Sequence, residues 1–258
     1  MAQATEARKV LKFSFWSAPP RGGRRSRPTA MSSVGARLAA LLITATAFAA
    51  APPATCPPDD FDSTDNFDLD TYISKPWYVQ QQMEVSYLPA SQNRNVRAQY
   101  ARKQGWSLFR YDLSVYNHAE DLAEPHNSRD AKLCAKVVDA LTGKLKVAPC
   151  FLPPFLAGPY WVVAYDESEG YALVSGGPPE QSAPGGCRTG NGVNGAGLWI
   201  FTRKQARDQA LVDKVREIAK DKGFDLSVLN DVLQVGGGDD VVQKSGGSEE
   251  VAKASFIV

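Results

Sequence analysis

At 258 residues, with 43% hydrophobic and 22% charged positions, the chain has the composition of a soluble globular protein of one or two domains. No run reaches the roughly 18–20 uncharged apolar residues that a bilayer-spanning helix needs. The formal charge of +1 hides a split: beyond residue 58 there are 21 bases and 27 acids, a balance of −6 with the bases scattered among acids, which argues against nucleic acid as a partner.

The other eight bases (Arg8, Lys9, Lys12, Arg21, Arg24, Arg25, Arg27 and Arg37) fall in residues 1–58 beside a single acid, Glu6. An Arg- and Ser-rich, acid-poor leader reads as an import presequence. It is followed by an apolar run, Leu38–Ala51, too short to span a bilayer, with Ala47-Phe48-Ala49 as an A-x-A cleavage site. Two signals in series resemble the bipartite targeting peptide of thylakoid-lumen proteins, predicted here over 1–50, with secretion as the alternative. The Pro- and Asp-rich stretch 51–66 is expected to be a linker.

Period-two alternation, the mark of a half-buried strand, then recurs along the chain. It runs from Trp77 to Val85, from Val96 to Tyr100, and from Leu108 to Tyr116. Leu133–Val138 and Leu145–Cys150 bracket a Thr142-Gly143-Lys144 turn, a hairpin signal. Tyr160–Tyr165 and Tyr171–Val174 bracket Asp166–Gly170, and Leu198–Arg203 closes the series. About eight closely spaced strands with no helix between them predict an all-β sandwich or an up-and-down barrel.

Segment 176–197 is too rich in Gly and Pro for a strand and is expected to be a long mobile insertion. A helix is predicted over Gln205–Lys222, with Leu211, Val215, Ile218 and Ala219 on one face and Gly223 at its C′ position. The chain from 235 to 258 is expected to be a disordered tail.

Three stretches resemble the signatures of the lipocalin family, most of all its plant and algal chloroplast and its bacterial-type members. They are Phe67–Asp70 with Tyr72–Tyr78, then Gly158–Asp166 with Tyr171–Gly176, and last Leu198–Arg203. Lys75-Pro76 departs from the family's G-x before the tryptophan. The resemblance covers about residues 67–234. It implies an eight-stranded antiparallel up-and-down barrel with the C-terminal helix packed outside. It also implies that Trp77 closes the barrel base beneath Arg203, a structural pair held by cation–π attraction.

An eight-stranded barrel is just wide enough for one small ligand. If Trp77 faces inward, Val79, Gln81 and Met83 share its face, with Val85 beyond them. Phe109, Tyr111 and Leu113, with Val115, are expected to line the opposite wall, and Trp161, Val163 and Tyr165 to share a face. Four cysteines, Cys56, Cys134, Cys150 and Cys187, behind an export signal read as two disulfides with three connectivities, or as buried thiols. A three-residue hairpin turn would set Cys134 opposite Cys150, leaving Cys187 to tie the insertion to Cys56. Both histidines, His118 and His126, are expected in a polar loop over 117–129.

No catalytic residue, metal site or cofactor is expected. The predicted function is binding of a small hydrophobic molecule (a fatty acid, oxidised lipid or carotenoid), with protection of thylakoid lipids under stress and peripheral contact with the thylakoid membrane. The alternatives are a carotenoid de-epoxidase-like lumenal enzyme and an interaction scaffold that uses the 176–197 insertion.

Overall fold

The computed structural model describes residues 55–65, 67–104 and 109–236. The expected targeting peptide lies outside these residues, as does the expected tail beyond residue 236. A one-turn helix, α1 (Leu69–Ile73), opens the fold. The Asp68 side chain caps it by accepting from the Thr71 amide at 3.1 Å, satisfying one of the helix's free N–H groups. There follow β1 (Trp77–Met83), β2 (Arg94–Arg102), β3 (Leu113–Glu120), β4 (Ser128–Asp139), β5 (Lys144–Pro149), β6 (Gly158–Asp166) and β7 (Tyr171–Ser175). A small separate hairpin, β8 (Gln181–Ala183) with β9 (Gly186–Arg188), precedes β10 (Leu198–Thr202). Each of β1–β6 pairs antiparallel with the next, and β10 pairs with both β7 and β1. These eight strands close into a barrel, with β1 meeting β2 only at Trp77 and Tyr78.

The helix α2 (Gln209–Asp221) starts four residues later than the periodicity predicts, because Asp208 rather than an earlier residue supplies the N-cap, accepting from the Leu211 amide. Its buried Val215 and Ala219 pack with Leu173, Leu198 and Ile200 on the outer wall. A short strand absent from the sequence reading follows, β11 (Leu229–Asp231), which pairs with β1 at Gln81–Met83. It lies on the side of β1 that β2 occupies at Trp77 and Tyr78. The Gln234 side chain bridges the two strands there, donating to the carbonyls of Val79 and Val96 at 2.8 and 2.9 Å.

The third strand starts at Leu113 rather than Leu108, after Arg110 takes a left-handed φ of 47°. It then runs on to Glu120, so the polar loop expected over 117–129 shrinks. His118 lies within β3, with Nδ1 2.8 Å from Asp130 and Nε2 3.3 Å from Glu120. His126 remains in the β3–β4 loop.

The 176–197 segment is not the open mobile loop that its composition suggests. The β8–β9 hairpin is built into it and docked beside α2, with the Cys187 amide donating to the Gly223 carbonyl and the Asp225 amide to the Cys187 carbonyl. Gly186 has φ of 136°, and a Cβ there would lie 2.6 Å from the Gly223 carbonyl oxygen, so glycine is what permits this approach. Two disulfides are present, Cys56–Cys187 and Cys134–Cys150. The described part of the supposed linker is also packed: Phe61 stacks on Trp161 at 6.2 Å, and the Thr64 amide donates to the Val162 carbonyl.

Candidate functional site

Side chains of directly paired residues share a sheet face, so the register sorts inside from outside. Trp77 pairs with Ala98, Tyr100 with Val115, Leu113 with Ala135, and Val79 with Phe201. All eight belong to one buried cluster, which is the barrel interior. The second cluster joins the outer wall to α2, and a third lies around Cys134.

Of the residues expected to line the interior, Val79, Leu113, Val115 and Tyr165 face it. Gln81 and Met83 face outward. The register shifts between Val79 and Gln81, a bulge that places Gln81 opposite Ile200 on the outer face. Such an extra residue reverses every later side chain on its strand. Met83 packs with the α2 cluster, and Gln81 accepts from Arg216 at 2.7 Å. A second bulge, between Val162 and Ala164, separates Trp161 and Val163 from Tyr165. Trp161 lies outside between Phe61 and the Lys144 ammonium, which sits 4.6 Å from its ring centre, and Val163 faces α2. Phe109 and Tyr111 precede β3 and pack on the outer wall near Cys134 and Cys150, where the Tyr111 hydroxyl donates to the Leu152 carbonyl.

One end of the barrel is sealed. The Arg203 guanidinium lies 3.5 Å from the Trp77 ring centre, in the arrangement implied by the resemblance and worth about 0.5–2 kcal/mol as a cation–π contact. Its N–H groups also donate to the carbonyls of Thr71, Tyr72, Lys75 and Pro76 and to Glu167. Lys75-Pro76 is therefore accommodated through its carbonyl oxygens, which need no glycine. Trp77 donates Nε1–H to the Tyr72 carbonyl at 2.9 Å.

Above this seal lies an aromatic floor centred on Tyr72, whose ring centre is within 5.6 Å of Phe67, Trp77, Tyr100 and Tyr165. The Tyr160 hydroxyl sits 2.7 Å from that of Tyr72 and 2.6 Å from that of Tyr100. Burial pushes the Tyr72 and Tyr160 hydroxyls far up and that of Tyr100 up to about 12, so all three stay neutral. Tyr160 belonged to a strand the sequence marked, but its inward face was assigned to Trp161. The Val96, Ala98, Tyr100 alternation carried the signal for Tyr100.

Toward the other end the inward-facing side chains are less covered. By register Asn117 and Ala131 face inward and are exposed, while Leu133, Val147, Tyr160 and Trp199 are half-buried. Gln82 pairs with Trp199 and donates Nε2–H to Asn93 Oδ1 at 2.7 Å. Asn93 in turn donates to the Asp231 carbonyl, which fixes both amide orientations. Gln82 Oε1 is buried without a partner among the described residues. This part of the interior wall is mostly apolar with few polar groups, the composition usual in small-molecule sites. Among the described residues no group of three or more His, Cys, Asp or Glu side chains is placed to hold a metal ion.

No family model matches the chain. Among solved structures, insecticyanin from the tobacco hornworm is 15% identical with a TM-score of 0.47, over 75% of this chain and 92% of that one. Lobster apocrustacyanin A1 is 13% identical with a TM-score of 0.47, over 71% and 91%. These likenesses are too distant to carry weight. The sequence of outer membrane lipoprotein Blc from Vibrio cholerae is a nearer match, 31% identical over 183 residues, which are 69% of this chain and 88% of that protein. With this relative, a closed barrel and an arginine-capped tryptophan at its base, the chain belongs to the lipocalin family.

Proposed function

We propose that the protein carries a small hydrophobic molecule, such as a fatty acid, an oxidised lipid or a carotenoid, in the open half of its barrel. Lipocalins are ligand-binding carriers rather than enzymes, and a carrier needs apolar enclosure, not a catalytic group. The observation that carries the reading is the contrast within the interior: Trp77 and Leu113 are fully buried at one end, while Leu133, Val147 and Trp199 keep accessible apolar surface toward the other. Transfer of that surface and of the ligand's out of water favours binding by about 25 cal/mol per Å2 before ordering costs.

The compartment we propose is the thylakoid lumen, where the carrier would protect membrane lipids during oxidative stress and touch the membrane peripherally. Two disulfides fit an oxidising compartment, and the charge split of the first 58 residues fits an imported precursor. Exposed Phe151, Phe155 and Leu156 at the open rim suit contact with lipid. Titrating the purified protein with a fluorescent fatty acid should give saturable binding at micromolar concentration. An unchanged spectrum across all such probes would end the carrier reading.

A further inference from the structure

The segment that leads from the β8–β9 hairpin into β10 holds two Asn-Gly pairs, Asn191-Gly192 and Asn194-Gly195. Asparagine is a thermolabile residue, and a following glycine, lacking Cβ, leaves its own amide nitrogen unobstructed for attack on the side chain. Attack needs a side-chain amide that can turn, an N–H without a partner, and room for a five-membered ring.

Asn191 meets all three conditions. It is exposed, and among the described residues neither its side-chain amide nor the Gly192 N–H has a hydrogen-bond partner. No atom lies within 4 Å of the place where a Cβ on Gly192 would stand. Asn194 is held instead. Its Nδ2 donates to the Leu156 carbonyl at 3.3 Å, and its Oδ1 sits so close to Gly158 that a Cβ there would lie 2.8 Å away. The two pairs are alike in sequence and unlike in the fold.

We propose that Asn191 is a site of spontaneous deamidation at the mouth of the barrel, with water as the only co-reactant. The Gly192 amide nitrogen gives up its proton and bonds to Asn191 Cγ. The Cγ–Nδ2 bond breaks and ammonia leaves. Water then opens the cyclic imide at one carbonyl or the other, giving aspartate or isoaspartate. Either product puts a negative charge into Thr189–Thr202, a stretch that carries none. Isoaspartate does more. The Asn191 carbonyl, which accepts from the Ser86 amide at 2.9 Å, becomes the free carboxylate, and the main chain is rerouted through the side chain. The backbone bond between this loop and the β1–β2 connection therefore has a limited lifetime.

The test is storage of the full chain at pH 8 and pH 6, folded or in guanidinium chloride. Digestion with trypsin under mildly acidic conditions then releases Thr189–Arg203, and electron-transfer fragmentation locates each new acid and separates aspartate from isoaspartate. In the folded chain at pH 8, Asn191 should convert about fivefold or more faster than Asn194, which must first break its bond to Leu156. In guanidinium chloride the two should convert alike, and at pH 6 both should slow. Equal rates in the folded chain would overturn the proposal, as would an Asn191 that converts only when the chain is unfolded. Asn191→Gln, whose longer side chain disfavours ring closure, should keep the Ser86 amide protected from hydrogen exchange during storage while the native chain loses that protection. Loss at the same pace in the variant would overturn the link between deamidation and the mouth.

Discussion

The two ends of the barrel are built on opposite plans. At the closed end the sealing pair is densely bonded: one guanidinium serves four carbonyls and a carboxylate, and the Trp77 N–H is paired. At the open end Gln82 keeps a buried oxygen unpaired, and Phe151, Phe155 and Val193 are more than two-thirds exposed. The difference teaches that stability and receptivity are assigned to separate halves of one sheet. A floor pinned by so many bonds around one guanidinium can hold its shape while the mouth keeps surface and hydrogen-bonding capacity for a guest.

The largest effect should come from Arg203→Ala, which strands Glu167 and the α1 carbonyls together. A loss of about 3–5 kcal/mol is expected in urea unfolding, and a loss no greater than at an exposed residue would break the contrast. Next, Leu133→Trp fills the half-buried inner wall toward the mouth. Affinity for N-phenyl-1-naphthylamine should fall at least about tenfold, as lost enclosure and overpacking both oppose binding, while far-ultraviolet circular dichroism stays native.

A smaller effect concerns the clamp on the β8–β9 hairpin, where Arg188 Nε donates to Asp225 at 2.7 Å. Burial works to raise the Asp225 carboxyl, but the Ser227 amide, the Arg188 guanidinium and the Ser227 hydroxyl outweigh it and hold it below its ordinary value. Its folded value is thus lower than its unfolded one near about 3.9. The stabilisation is complete above that unfolded value and is lost as pH falls through the folded one. Urea midpoints measured from pH 6 down to pH 3 should drop, and Asp225→Asn should flatten part of that drop. Smallest is Phe155→Ser at the rim: at 78% exposure, it should shift stability by no more than about 0.5 kcal/mol. A larger loss would mean that the mouth contributes to stability as the floor does.

Strand positions, the hairpin turns, α2 and the Trp77–Arg203 pair were legible because each leaves a local trace in periodicity, glycine placement or motif. The inner face was much less so. Val79 was placed correctly, but Gln81 and Met83, further along the same strand, were not, because a bulge adds one residue without any mark in composition. The same happened between Val162 and Ala164, where Trp161 drew attention as the larger ring while Tyr160 held the inward position. Arg110 hid the kink that turns Phe109 and Tyr111 outward, since a left-handed φ at a non-glycine residue has no composition signal. β11 was too short to show alternation at all. Glycine-rich composition also misled at 176–197, where Gly186 serves close docking to Gly223 rather than freedom of movement.

The late strand β11 has a consequence for how the molecule is assembled. Toward the mouth, the gap between β1 and β2 is filled by Leu229–Gln234, made well over a hundred residues after the strands it joins. Without that stretch β1 would meet β2 through Trp77 and Tyr78 alone, a slit down the wall of an otherwise finished vessel. The circumference of the opening is thus fixed by the final stretch of the domain, and the mouth is complete only when that seam is closed.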